Sequence, residues 1–282
     1  MKPRAIGILH PGSMGVSIAA AAKNNGNTVY WAAHDRSPQS QDRATDNGLL
    51  DAGDLAAVCS RCEIIFCVCP PHAAETVAEE VIAAGFKGLY LDANAIAPQR
   101  ARRIGDKLET AGASYVDGGI IGGPAWGPAK TWLHLSGKQA DQIAACFGEG
   151  PLVTNVLGPA PDQASALKMC FAAQTKGTAA LMCAILAAAE HLGVRQALFE
   201  QWSHGGSDRA GQAADQVRGV TGRAWRWEGE MREISETFAT AGVPGDFHAG
   251  AAGIFGRLAG FKDATAPPEL ETVLAALLEG QD

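Results

Sequence analysis

Apolar and polar positions in the first half of the chain follow two alternating rhythms. Short apolar runs occur at Arg4–Leu9, Thr28–Ala32, Ile64–Val68, Gly88–Leu91 and Ser114–Val116, with alanine-rich stretches of helical period between them. A repeated strand, helix, strand order predicts a parallel sheet covered on both faces by helices. Leu133–Ser136 and Leu152–Leu157 read as two more strands at the end of this block. Within the first unit, a turn at His10–Ser13 leads into a helix running to about Asn25.

Beyond residue 160 the strand rhythm stops. Ala164 to Leu192 holds no proline and is dominated by Ala, Leu, Met and Cys. As one helix it would span ~40 Å, longer than a small domain is wide, so it either crosses two domains or packs on a second subunit. Helical patterns return at Gln196–Ser203, Asp208–Val217, Glu230–Ala241, Phe247–Leu258 and Pro268–Leu278. The expected organisation is an α/β domain over residues 1–160, followed by an all-helical domain over residues 161–282 that contributes to substrate binding and forms a homodimer.

Composition narrows the partners. A hydrophobic content of 47% with 19% charged residues is that of a soluble globular protein. The net charge of −7 argues against nucleic acid or an anionic membrane as partner, because phosphate binding needs clustered Lys and Arg. Arg100, Arg102 and Arg103 form the densest basic group and read as a solvated helix face. Met1–Leu9 is too short in its apolar run for a signal peptide, and Gly177–Ala189, ended by Glu190, falls short of the ~20 residues of a membrane span. Seven cysteines, mostly in core-like patterns, suit a reducing cytoplasm. Cys59 and Cys62 have a CxxC spacing, but no second pair follows; they read as small buried hydrophobes, and no metal site is expected.

The turn after the first strand carries the first chemistry. Gly7-Ile8-Leu9-His10-Pro11-Gly12-Ser13-Met14-Gly15 fits GxGxxG in its last two glycines, with His10 at the first position. Gly12 would let the backbone approach a pyrophosphate, Gly15 would let the helix pack on the sheet, and the helix start would offer free N–H groups. That context predicts a Rossmann-type, doubly wound dinucleotide-binding domain. After the second strand, Asp35-Arg36-Ser37 offers both signals for the ribose: an acid for NAD hydroxyls, or a guanidinium and hydroxyl for the NADP phosphate. Arg36 and Ser37 favour NADP, with NAD as the alternative.

Further segments extend this picture: Cys69-Pro70-Pro71, Leu91-Asp92-Ala93-Asn94 before Pro98, Asp117 to Gly123, and Ala164-Ser165-Ala166-Leu167-Lys168-Met169. Together with Gly7–Gly15 they resemble the β-hydroxyacid dehydrogenase superfamily, which includes 6-phosphogluconate and 3-hydroxyisobutyrate dehydrogenases. More narrowly, Asp92–Ala97, Asp117–Gly122, Leu167–Met169, Thr175-Lys176-Gly177 and Trp225–Glu233 resemble a bacterial subgroup whose C-terminal helical domain is of unknown function. The resemblance implies that Lys168 is the catalytic lysine. It also implies that Cys69, Pro70 and Asn94 border the cofactor, as His10, Gly12, Ser13, Met14, Gly15, Arg36 and Ser37 do. Four positions depart from the superfamily pattern. Ile121 stands where a serine holds the substrate carboxylate, Ala172 after Phe171 replaces an asparagine, and Arg232-Glu233 replaces a Lys-Asp pair.

The candidate substrate residues are therefore Gly118, Gly119, Ile121, Gly122, Phe171 and Trp225, with glycine N–H groups taking over from the missing serine. Lys168 is expected to act as general acid/base, against the plainer reading of a lysine stem laid along apolar surface. Lys176, eight residues on, is either a second site residue or a solvated charge. Trp227, with Trp225, lines a pocket or anchors a core; His248 reads as a packed or surface histidine, and Glu230 with Glu233 as a solvated face. The expected activity is NADP(H)-dependent hydride transfer to or from a small alcohol/carbonyl pair. Imine reduction and a non-catalytic dinucleotide-binding role are the alternatives.

Overall fold

The computed structural model describes residues 3–127, 130–262 and 264–279. Eight strands form one sheet: β1 (Ala5–Leu9), β2 (Thr28–Trp31), β3 (Leu50–Asp51), β4 (Ile64–Cys67), β5 (Leu89–Asp92), β6 (Ser114–Ile121), β7 (Thr131–Ser136) and β8 (Leu152–Gly158). Their spatial order is β3-β2-β1-β4-β5-β6-β7-β8, with the chain reversing its direction of growth between β3 and β4. Six helices accompany them: α1 (Ser13–Asn24), α2 (Pro38–Asp46), α3 (Leu55–Arg61), α4 (Ala74–Ala83), α5 (Pro98–Thr110) and α6 (Ala140–Ala144). The central strands are apolar but for Asp92 at the end of β5, because both faces are covered: every residue of β4 and β5 is buried.

Two points correct the sequence reading. β6 continues to Ile121, five residues beyond the apolar run at Ser114–Val116, because Asp117, Gly118 and Gly119 carry no strand signal of their own. The sheet is also not wholly parallel. β6 pairs antiparallel with β7 through Asp117↔Ser136 to Ile121↔Trp132. The link between them is too short for the dozen or more residues of a parallel crossover.

The chain divides into two compact units, Met1–Met169 and Cys170–Asp282. The division falls within α7 (Gln163–His191), and the second unit adds α8 (Arg195–Ser203), α9 (Arg209–Gly219), α10 (Thr221–Thr240), α11 (Asp246–Arg257) and α12 (Leu270–Leu278). Helix α10 begins nine residues before the expected Glu230, so Trp225 and Trp227 lie inside it. Helix α7 is long and apolar enough by composition to cross a membrane. Its buried positions include Lys176, paired with Glu230, and Gly177, where a Cβ would meet the Phe247 ring at 3.1 Å; these are contacts of a packed protein core.

Candidate functional site

The glycine turn is built on a left-handed residue that is not glycine. His10 has φ 64°, and its carbonyl accepts the Gly12 N–H at 2.7 Å. This is the position at which the motif usually calls for glycine, and the histidine adopts the same turn at a cost of ~1–2 kcal/mol. The two glycines that remain serve different ends. At Gly15 a Cβ would lie 2.6 Å from the His10 carbonyl oxygen, so α1 could not close on the turn. At Gly12 a Cβ would meet nothing nearer than 4.0 Å, so the missing side chain leaves open space. Helix α1 has no side-chain cap and no acid in its first turn. The N–H groups of Ser13, Met14 and Gly15 have no protein partner among the described residues. An open cradle in front of free N–H groups suits a pyrophosphate.

Burial, and then the charge of Arg36, pushes the His10 imidazole down to about 4, so it is neutral near pH 7. Its Nδ1 is buried without a hydrogen-bond partner among the described residues. His10 and Arg36 line one small cavity with Ile8, Leu9, Ala32 and Leu55. This unpaired nitrogen, the open cradle and the arginine together fit a dinucleotide.

At the ribose end, Asp35 takes φ 58° and is exposed beside His34. Ser37 caps α2, its Oγ accepting the Ser40 N–H at 3.4 Å. Arg43, which the sequence reading missed, joins the two loops: its Nε donates to the Pro11 carbonyl at 3.3 Å and its guanidinium to Ser40 Oγ at 3.0 Å. The only signal for it was a second arginine seven residues after Arg36, on a helix too polar to stand out.

Asn94 does not project into open space; it is 3% exposed. Its Oδ1 accepts the Cys69 N–H at 2.6 Å and its amide donates to Cys67 Sγ at 3.4 Å. Its own N–H donates to Asp92 Oδ1 at 3.0 Å. What Asn94 does is hold the Cys69-Pro70 segment at the end of β4. The buried Asp92 carboxyl is pushed up to about 7, chiefly by burial.

Lys168 lies in the second turn of α7, with Nζ donating to the Ile120 carbonyl at 2.6 Å. The helix start is fastened to the sheet. Ser165 N–H and Oγ donate to Asp117 at 2.8 and 2.5 Å, and Ala164 N–H donates to Ser136 Oγ at 3.0 Å. Gly118 and Gly119, expected as N–H donors in place of the family's serine, are closely packed. They lie within β6, and a Cβ at Gly118 would stand 2.8 Å from Leu91. At Gly119 a Cβ would stand 2.5 Å from the Ala164 carbonyl oxygen and 3.2 Å from the Lys168 Cβ. Their role is to let the core and α7 close onto the strand. Gly122, with φ 121°, turns the chain beyond half-buried Ile121 and is exposed.

In the helical unit Phe171 and Trp225 are both exposed, and the Lys262 ammonium sits 4.5 Å over the Trp225 ring. Lys176 and Glu230 are neither solvated nor free: they form an ion pair with side chains 11% and 15% exposed. Glu233 is buried too, so the expected solvated face of Glu230 and Glu233 is a packed one. Trp227 lies against Phe255 and His248 between Phe238 and Phe247, both in edge-on contact, as core residues. Arg232 reaches Glu228, four residues earlier. Arg100 departs from the solvated face expected of its cluster, its side chain being 15% exposed and 3.8 Å from Glu75. All seven cysteines are unpaired, and Cys59 and Cys62 are buried.

Residues 5–145 match the NAD binding domain of 6-phosphogluconate dehydrogenase, and residues 189–258 match a domain of unknown function, DUF1932. No curated protein sequence matches the chain. Among solved structures, the conserved protein MTH1747, of unknown function and described as similar to 3-hydroxyacid dehydrogenases, is 27% identical over 90% of this chain and 96% of its own, with a TM-score of 0.66. The fold is shared with 3-hydroxyisobutyrate dehydrogenase from Mycobacterium tuberculosis, solved with L-serine, at 17% identity, 98% and 100% coverage and a TM-score of 0.68. It is shared more distantly with an imine reductase variant from Myxococcus stipitatus in complex with NAD+, at 18% identity, 99% and 100% coverage and a TM-score of 0.56. The chain belongs to the 6-phosphogluconate dehydrogenase-like superfamily, that of the β-hydroxyacid dehydrogenases, and is a dinucleotide-binding oxidoreductase with a DUF1932 helical domain.

Proposed function

We propose that this protein transfers hydride between NADP(H) and a small alcohol/carbonyl pair, with Lys168 as general acid/base. The observation that carries the reading is the placement of the Lys168 ammonium on the Ile120 carbonyl, at the C-terminal end of β6. Open α/β sheets bind their ligands at that edge. A nicotinamide bound there would supply or accept the hydride. Lys168 gives a proton to the carbonyl oxygen on reduction and takes it from the alcohol on oxidation. Gly12, Ser13, Met14 and Gly15 would hold the pyrophosphate. Arg36 and Ser37, with Arg43 behind them, support a preference for NADP over NAD.

Other expectations join the proposal. Exposed Phe171 and Leu181 along α7, and Leu192 just beyond its end, support a homodimer through the helical domain, and seven unpaired cysteines support a cytoplasmic setting. Imine reduction is the second reading, favoured by apolar Ile121 and buried Ala172 where the superfamily places a serine and an asparagine.

The test is NADPH oxidation across a panel of aldehydes, ketones, β-keto acids and cyclic imines, with wild type and Lys168→Ala. The expected loss on substitution is about 10²–10⁴-fold in kcat with an unchanged NADPH Kd. Unchanged turnover in Lys168→Ala overturns the assignment, and turnover of imines alone selects the second reading.

A further inference from the structure

We propose that Asp117 is a positioning residue for Lys168, acting through the first turn of α7. The inference rests on the reading of Lys168 as the acid/base group. A carboxylate in the middle of a buried strand is a poor β-former and costly to desolvate, yet Asp117 is 1% exposed. Among the described residues, all of its side-chain bonds lead to the helix start or to the serine that supports it. Oδ2 accepts the Ser165 N–H and, at 3.1 Å, the Ser136 hydroxyl, while Oδ1 accepts the Ser165 hydroxyl. Ser136 Oγ in turn accepts the Ala164 N–H. Two first-turn N–H groups of α7 are thereby satisfied from the sheet, not from the helix's own leading residues.

Where another helix has a side-chain cap among the described residues, that cap is local. Ser37 caps α2, and Asp54 caps α3 by accepting the Ala57 N–H at 2.8 Å, both from exposed positions. A local cap stabilises a helix equally well without burying a charge. A cap 48 residues away in sequence does something else: it fixes the helix to one strand in one register. The same strand receives the product of that register. Lys168 follows Ser165 by three residues, on the same helix face, and its ammonium meets the carbonyl of Ile120, three residues beyond Asp117. Gly119 lies between these two fastenings and brings the backbones together.

The position of Lys168 can be read without substrate, by trinitrobenzenesulfonate labelling of the full-length protein. Peptide mass spectrometry then gives the Lys168 rate against exposed Lys23 and Lys138. Asp117→Asn and Ser165→Ala should each raise the Lys168 rate alone, by about five-fold, the opening that loss of a cap permits. Ser165→Thr, which keeps the hydroxyl, should stay at the wild-type rate. If Asp117→Asn does not fold, the pair at Ser165 carries the test. An unchanged Lys168 rate in Ser165→Ala, or a rise shared by all three lysines, overturns the proposal. The two readings fail separately: turnover surviving Lys168→Ala removes the acid/base role, while the labelling still decides whether Asp117 places the lysine.

Discussion

Helices α1 and α7 both begin at the C-terminal edge of the same sheet, and their N-termini are finished in opposite ways. At α1 the first-turn N–H groups of Ser13, Met14 and Gly15 are left open, behind a glycine with no side chain. At α7 those of Ala164 and Ser165 are taken by Ser136 and Asp117. The dipole and the orphan donors are the same in both. An open helix start is a place for an anion that arrives from solution. One closed by a buried carboxylate is an anchor, and its use lies further along the helix, at Lys168.

The comparison breaks most sharply if α1 is given the finish of α7. Gly12 has extended backbone (φ −69°, ψ −176°), which any residue adopts, and open space at its Cβ. Gly12→Asp would cap α1 with its own carboxylate, occupying the donors and repelling phosphate. NADPH affinity should fall about 100-fold, the worth of one or two charge-assisted hydrogen bonds, while the melting temperature holds or rises. Isothermal titration calorimetry with an NADPH Kd within about two-fold of wild type would show that the open start is not the phosphate site.

A smaller effect sharpens which anion the open end takes. Arg36→Ala should weaken NADPH about 30-fold and leave NADH nearly unchanged, because a guanidinium meets a phosphate but not a ribose hydroxyl pair with comparable strength. Equal losses for both cofactors would move Arg36 from the 2′-phosphate to a general electrostatic role.

These two helix starts also mark what the sequence discloses. The open one was legible, because Gly12, Gly15 and the flanking strands are neighbours in the chain. The closed one was not. Asp117 and Ser165 carry no local signal of their partnership, and Gly118 and Gly119 look like a loop until α7 is seen lying on them. Lys168 stands out in the sequence through resemblance alone, since a lysine on an apolar helix has ordinary explanations. Arg43 was hidden by the polarity of α2, and the Lys176–Glu230 pair by the habit of charged residues to face water. Local patterns thus showed the strands and the cofactor turn, whereas every long-range polar contact needed three dimensions.

Asp92 is the internal control for Asp117, its partner in register on the neighbouring strand. Asp117 has three donors and is pushed up only to about 6 by its burial. Asp92 has the Asn94 N–H on one oxygen, while Oδ2 is buried with no partner among the described residues; burial pushes it up to about 7. A carboxyl that keeps its proton in the folded state up to about pH 7, but releases it near 3.8 when unfolded, contributes stability at low pH that is lost as pH rises through 7. His10, held down to about 4, works the other way and costs stability as pH falls below 6.5. His134 and His248, also held down by burial, act in the same direction as His10, so the carboxyl contribution is read from a variant and not from the wild type alone. Asp92→Asn removes the larger carboxyl contribution. Its gain over wild type should be larger at pH 8 than at pH 5 by roughly 2–3 kcal/mol, as denaturant titration at both values would measure. An equal gain at the two pH values would mean that the Asp92 charge is not what the unpaired oxygen costs, and that the donors around Asp117 are not what sets the two carboxyls apart.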